Sequence, residues 1–211
     1  TVIVRVWLPD EPGALGLVAS RIGAVRGDVL SIEILEVGGG RVIDEIVVSL
    51  PEPGLVDLMV EEVHAIDGVS VEHVRPTTEL PSDRGLQALA LTAELAETEP
   101  HERLRALVDG VAQLTESAWS IVVHGTDVVA SVGDSPSADW INSLLAGSRH
   151  LGDPHAAAGD MFWADLPITG MWLAAGRPDR TVHESERVRL DLFARTADAL
   201  LTSGLVGISD T

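Results

Sequence analysis

The sequence predicts an α+β protein in two parts. Residues 1–76 read as a βαββαβ module, residues 77–84 as a linker, and residues 85–211 as a small α/β module. Three observations predict this. Hydropathy alternates with a period of two over residues 2–8, 29–37 and 42–50, as in half-buried strands. After the first and third of these runs, apolar residues recur every three or four positions, as on one helix face. The segment Arg75-Pro-Thr-Thr-Glu-Leu-Pro-Ser-Asp-Arg84 concentrates turn formers between two periodic regions.

In the first strand Val2, Val4, Val6 and Leu8 share one face, and Ile3, Arg5 and Trp7 the other. Pro12-Gly13 interrupts the chain, and Leu15, Val18, Ile22 and Val25 then mark a helical stripe that ends at Gly27-Asp28. In the second strand Leu30, Ile32 and Ile34 are expected to face inward, and Gly38-Gly39-Gly40 to form a hairpin. Ile46, Val48 and Leu50 point inward from the return strand. Pro53-Gly54 opens a second helix carrying Leu55, Met59, Val63 and Ile66, and Val69–Val74 completes the module. Two βαβ crossovers of this kind place both helices on one face of an antiparallel four-stranded sheet. On the other face Ile3, Trp7, Leu35, Ile43, Val47 and Val74, beside Arg5, Glu33 and Glu45, are too apolar for open water, so a second copy or the second module is expected to cover part of it.

The second module reads as helices over 85–97 and 101–116, with Glu99-Pro100 breaking them. Strands follow at Trp119–His124 and Asp127–Val132. A helix over Ser135–Leu145 opens on Ser135-Pro136 as N-cap and first residue. Residues 147–159 read as a loop, Met161–Leu166 and Gly170–Ala175 as strands, and 183–202 as a long helix phased by Val188, Leu192, Arg195 or Thr196, and Ala199, with Leu190, Phe193, Ala197 and Leu200 beside that stripe.

Composition narrows the function. The 211 residues hold 33 acidic and 14 basic side chains, a net charge of −19, and both modules are acidic. Such a surface repels phosphate backbones and anionic lipid, so neither nucleic acid nor membrane is expected as a partner. All the basic residues are Arg. With no Cys, disulfides, thiolate metal sites and thiol nucleophiles are excluded. No apolar run reaches the length of a spanning helix, and Thr1–Arg5 has no signal-peptide character; a cytoplasmic location is the expectation.

The chemistry-bearing segment of the first module is Leu8-Pro-Asp-Glu-Pro-Gly-Ala-Leu15. Gly13 would let a ligand approach the first N–H groups of a helix, where a carboxylate gains hydrogen bonds and the helix dipole. Asp10, Glu11 or Asp28 would receive an ammonium group. An α-amino acid presents both charges. The competing reading is that Asp10 and Glu11 only cap the helix.

This motif, with the element order around it and Gly27-Asp28-Val29-Leu30-Ser31-Ile32 after the helix, resembles the ACT domain, an amino-acid-sensing module with a ferredoxin-like fold. Asp28 stands where the family often has Asn. The resemblance implies a ligand site on Asp10, Glu11, Pro12, Gly13, Ala14, Leu15, Asp28, Val29 and Leu30, located at the interface of a homodimer. The stretch Leu166–Ala175 with Glu184–Leu201 looks like the final hairpin and closing helix of a GAF domain, a ligand-sensing and dimerising module.

Other constellations are weaker. His150, Asp153 and His155 match no regular metal spacing, so no metal is expected. The acids in His183-Glu-Ser-Glu186 suit the first turn of a helix. His124 near Asp127 and Ser120 belongs to no known catalytic pattern, and no Gly-x-Ser-x-Gly elbow, P-loop or dinucleotide fingerprint is present. Trp119, Trp140, Trp163, Trp172, Phe162 and Phe193 line a pocket or pack in a core. The reading that follows is a regulatory sensor, not an enzyme and without a cofactor. It binds a small molecule, an amino acid, and signals to an unnamed protein partner through dimer assembly. The alternatives are an enzyme using His124, His155 or His183 in the second module, and a dimerisation module without ligand.

Overall fold

The computed structural model describes residues 1–78, 83–148 and 159–203. The chain forms two compact units, residues 1–82 with 183–185, and residues 83–182 with 186–211. No helix among the described residues is long and apolar enough to cross a membrane.

The first unit runs β1 (Val2–Pro9), α1 (Ala14–Ala24), β2 (Asp28–Gly38), β3 (Arg41–Ser49), a single 3-10 turn (Pro53–Leu55), α2 (Val56–His64) and β4 (Ser70–Pro76). Its sheet has the order β2-β3-β1-β4, every neighbour antiparallel. The β2–β3 turn rests on Gly39 and Gly40, both at positive φ, which a two-residue hairpin of matching twist requires. Val2, Val4, Val6 and Leu8 pack with Ile46 and Val48 against Val18 and Ile22 of α1 and Met59 and Val63 of α2. The period-two and period-3.6 patterns thus converge on one core between sheet and helices.

One row departs from expectation. Ile32 and Ile34 are 41% and 57% exposed, and Leu30 is 41% exposed. Among the described residues β2 is an edge strand that pairs with β3 alone. Alternation in an edge strand marks which residues share a side, but a helix must lie over that side to bury them. The ladder also shifts register between Val29 and Ser31 and between Ile34 and Glu36, so Leu30 and Leu35 sit at bulges.

Asp44 lies opposite Val6 of β1 and Ile34 of β2. It is 2% exposed, and its Oδ1 has no hydrogen-bond partner among the described residues. Burial pushes its carboxyl above the ordinary aspartate value. The folded chain therefore holds this proton to a higher pH than the unfolded chain, and stability falls as pH rises through the folded value. Asp44→Asn is expected to stabilise the protein near neutral pH, because it removes the charge that burial penalises while keeping the shape of the side chain. The gain should vanish below about pH 4, where the carboxyl is protonated in both states. Urea midpoints at the two pH values check this; a pH-independent difference would contradict it.

The second unit runs α3 (Arg84–Glu97), α4 (Arg103–Thr115), β5 (Trp119–His124), β6 (Asp127–Val132), α5 (Ala138–Ser148), β7 (Met161–Leu166), β8 (Met171–Gly176) and α6 (Glu184–Ser203). Its antiparallel sheet has the order β6-β5-β8-β7. One face packs Val122, Leu173 and Phe162 against α3, α4 and α6 through Leu95, Leu107 and Phe193. The other packs Ile121, Val123 and Ala174 against Ile141 and Leu145 of α5.

Two helices differ from the sequence reading. α5 starts at Ala138, not Ser135, because Ser137 caps it: its Oγ accepts from Trp140 N at 3.3 Å and its carbonyl from Ile141 N at 3.1 Å. In α6 the buried stripe is Glu186, Leu190, Phe193, Ala194 and Ala197, whereas Val188 and Leu192 are exposed. A charged residue heads this stripe because Arg177 pairs with it: Nη2 donates to Glu186 Oε2 at 2.7 Å.

Two polar devices close the unit. Asp198, 1% exposed, accepts from Ile168 N at 2.7 Å, Thr169 N at 3.1 Å and Thr169 Oγ1 at 2.7 Å, fixing the β7–β8 turn onto α6. Arg103 donates to the carbonyls of Ala96 and Thr98 at the end of α3, and to Leu200 O and Ser203 Oγ at the end of α6. One guanidinium thereby serves the unpaired carbonyls of two helix C-termini.

Candidate functional site

The loop after β1 is held by backbone hydrogen bonds. Asp10 N donates to Gly40 O at 3.0 Å and Ala14 N to Glu11 O at 3.2 Å. Gly13 is the N-cap of α1 with φ 95°, a left-handed conformation natural to glycine. No side chain accepts from the first turn of α1, and that turn holds no acidic residue. Asp10 and Glu11 therefore do not cap the helix; both are exposed, as are Pro12 and Gly13. A Cβ on Gly13 or on Gly16 would meet nothing within 4 Å, so the approach to the helix start is open. Ala14 is buried in the core and Leu15 half-buried, and they hold the helix down.

Asp28, Val29 and Leu30 open β2, where Asp28 pairs with Ser49 and Val29 with Val48. The loop group lies at the other end of the sheet, since Pro9 pairs with Arg41. Eight residue steps along the strand separate Arg41 from Ser49, roughly 26 Å at about 3.3 Å per residue. Within one chain the structure brings Asp10, Glu11, Pro12, Gly13, Ala14 and Leu15 together. It does not bring Asp28, Val29 and Leu30 to them.

The histidines of the enzyme alternative are not gathered. His124 is exposed at the end of β5. His155, like His150 and Asp153, lies outside the described residues. His183 belongs to the first unit and is 2% exposed. Its Nε2 is 2.9 Å from Glu72 Oε2 and its Nδ1 3.2 Å from Glu36 Oε2, while its ring meets Trp7 edge-on at 5.7 Å. Trp7 Nε1 donates to the other oxygen of Glu72 at 3.1 Å. Burial would raise the Glu72 carboxyl, but the hydrogen bonds and charge of His183 and the bond from Trp7 outweigh it and hold Glu72 below its usual range. Among the described residues no group of three metal-ligating side chains is assembled.

The sequence reading did not single out a cavity of about 710 Å³ in the second unit, between the start of β5 and α5. Its signal was present in the two glycines that shape it, Gly133 and Gly176, but the meaning of a glycine depends on what its missing side chain would strike.

The described residues define a two-unit α+β protein built on two antiparallel four-stranded sheets. No family model matches the chain, and no curated protein matches it. Among solved structures it is similar to a formyltetrahydrofolate deformylase from Pseudomonas putida KT2440, at 16% identity and a TM-score of 0.30, over 44% of this chain and 38% of that one. It is also similar to an unknown protein from Galdieria sulphuraria, at 14% identity and a TM-score of 0.33, over 96% of this chain and 91% of that one. The chain thus spans well under half the length of the deformylase.

Proposed function

We propose that the first unit is an ACT-type sensor that binds a small α-amino acid, with a site completed by a second copy of the chain. Binding then passes to a protein partner as a change in assembly. The observation that carries this reading is the exposed edge of β2. The stretch Ser31–Ile34 keeps a regular ladder between two bulges, its outer backbone groups have no strand partner among the described residues, and Ile32, Ile34 and Val37 beside it are exposed. A two-fold axis near Ile32–Glu33 would pair two such edges antiparallel. It would set Asp28 of a second copy opposite Val37, next to the Gly39-Gly40 turn that holds Asp10. The two groups that lie apart in one chain then meet. The α1 N-terminus offers N–H groups to the carboxylate, and Asp28 of the second copy, with Asp10, offers oxygen to the ammonium.

The test is a thermal-shift screen of the full chain over the twenty amino acids, with light scattering on the same samples. A ligand at about 100 times its Kd stabilises by roughly 2.7 kcal/mol, a midpoint rise of about 5–10 °C for a chain this long. Binding should also raise the dimer fraction, and the matching amino acid amide should have little effect. Gly13→Val should abolish the response, since a branched side chain at φ 95° displaces the helix start. Asp28→Asn, at an exposed strand end, should weaken the response without unfolding the chain. If no amino acid raises the midpoint, or both variants respond as the parent does, the reading is wrong.

A further inference from the structure

The cavity of the second unit is built on close backbone approaches. Trp119 opens β5 opposite Gly176 of β8. A Cβ at Gly176 would sit 2.4–2.8 Å from three atoms of the Trp119 ring, so the indole lies directly on the strand backbone as a floor. A Cβ at Gly133, φ 70°, would sit 2.1 Å from Ala118 O, so the turn after β6 is pressed against the start of β5 and carries Asp134 to the cavity. Across the cavity, Arg177 N donates to Asp160 O at 3.1 Å and Val182 N to Gly159 O at 2.6 Å, which fixes the segment bearing Asp160. Trp140 of α5, 47% exposed, supplies a second indole to the lining, with Leu144 and Met161 beside it.

The charges of this lining are one-sided. Arg177 is its one cation among the described residues, and its guanidinium is occupied by Glu186 and by the carbonyls of Thr115, Arg180 and Thr181. Its face lies 5.0 Å from the Phe162 ring. Asp134 and Asp160 are exposed and have no cation partner among the described residues. Indole faces attract cations through their quadrupole, and carboxylates add charge and hydrogen-bond acceptors. A site of about 710 Å³ with that lining rejects anions and gives a neutral apolar ligand no use for its carboxylates.

We propose that this cavity binds a small organic cation, its apolar body against Trp119 and Trp140 and its ammonium group toward Asp134 and Asp160. The site is separate from the amino-acid site proposed for the first unit, and a ligand without a carboxylate distinguishes them.

Calorimetric titration of the full chain with phenethylamine tests it, alongside the neutral isostere 2-phenylethanol and the anion phenylacetate. Saturable binding of phenethylamine is expected, at least about tenfold tighter than the alcohol, with none for phenylacetate. Trp140→Ala and Asp134→Asn, both at exposed positions, should each weaken it by roughly tenfold. Asp57→Asn, which removes the same charge from exposed α2, should leave it unchanged. Absence of saturable phenethylamine binding, equal binding of the alcohol, or full affinity in both cavity variants would overturn the proposal.

Discussion

Arg177→Ala is expected to destabilise the second unit by about 3–5 kcal/mol, the scale for removing one member of a buried ion pair. Arg177 is 4% exposed and Glu186 9%. The substitution strips Glu186 of its 2.7 Å partner and leaves the carbonyls of Thr115, Arg180 and Thr181 without their donors. Arg177→Lys should recover only part of the loss, because an ammonium cannot reach four acceptors set around a planar fork. The double variant Arg177→Met, Glu186→Leu should be more stable than either single change, since no buried charge then remains unpaired. Urea unfolding followed by tryptophan fluorescence reads this unit well: Trp119, Trp140, Trp163 and Trp172 belong to it, and Trp7 alone to the other. A loss under about 1 kcal/mol for Arg177→Ala would mean that water or a neighbouring donor replaces the guanidinium.

Gly133→Ala should cost about 2–4 kcal/mol, and Gly125→Ala about 1 kcal/mol. Both glycines have positive φ and both flank β6, so the backbone strain of a side chain is shared. The space is not. Nothing lies within 4 Å of a Cβ at Gly125, whereas one at Gly133 would meet Ala118 O at 2.1 Å. Ala118 cannot retreat freely, because its N–H donates to Gly176 O at 2.8 Å. The difference between the two variants isolates the steric part. Equal losses would show that the turn moves away from β5 at little cost.

Much of the fold was legible because local patterns and long-range packing agreed. Val2, Val4, Val6 and Leu8 alternate and lie in the core; Val18, Ile22, Met59 and Val63 follow helical spacing and meet them there. Legibility failed where burial depended on position in the sheet. Ile32 and Ile34 alternate as well as any inner row, yet nothing in their spacing tells an edge strand from a central one. It failed again in α6, where Glu186 leads the buried stripe because a residue nine positions earlier neutralises it. At the candidate site, the open helix start at Gly13 was readable from Pro12-Gly13. The distance to Asp28 was not, since it follows from the antiparallel register of β3 with both neighbours.

The double clamp of Arg103 bears on synthesis. Two of its four acceptors, Leu200 O and Ser203 Oγ, stand about 100 residues further along the chain. At a ribosomal rate of roughly 5–20 residues per second, α4 emerges about 5–20 s before its clamp can close. Through that interval Leu107, Val111 and Leu114 have no α6 to cover them, and neither has β5 its neighbour β8. The nascent second unit therefore exposes this apolar surface until its last helix is made, and slowed translation after β6 would lengthen that exposure.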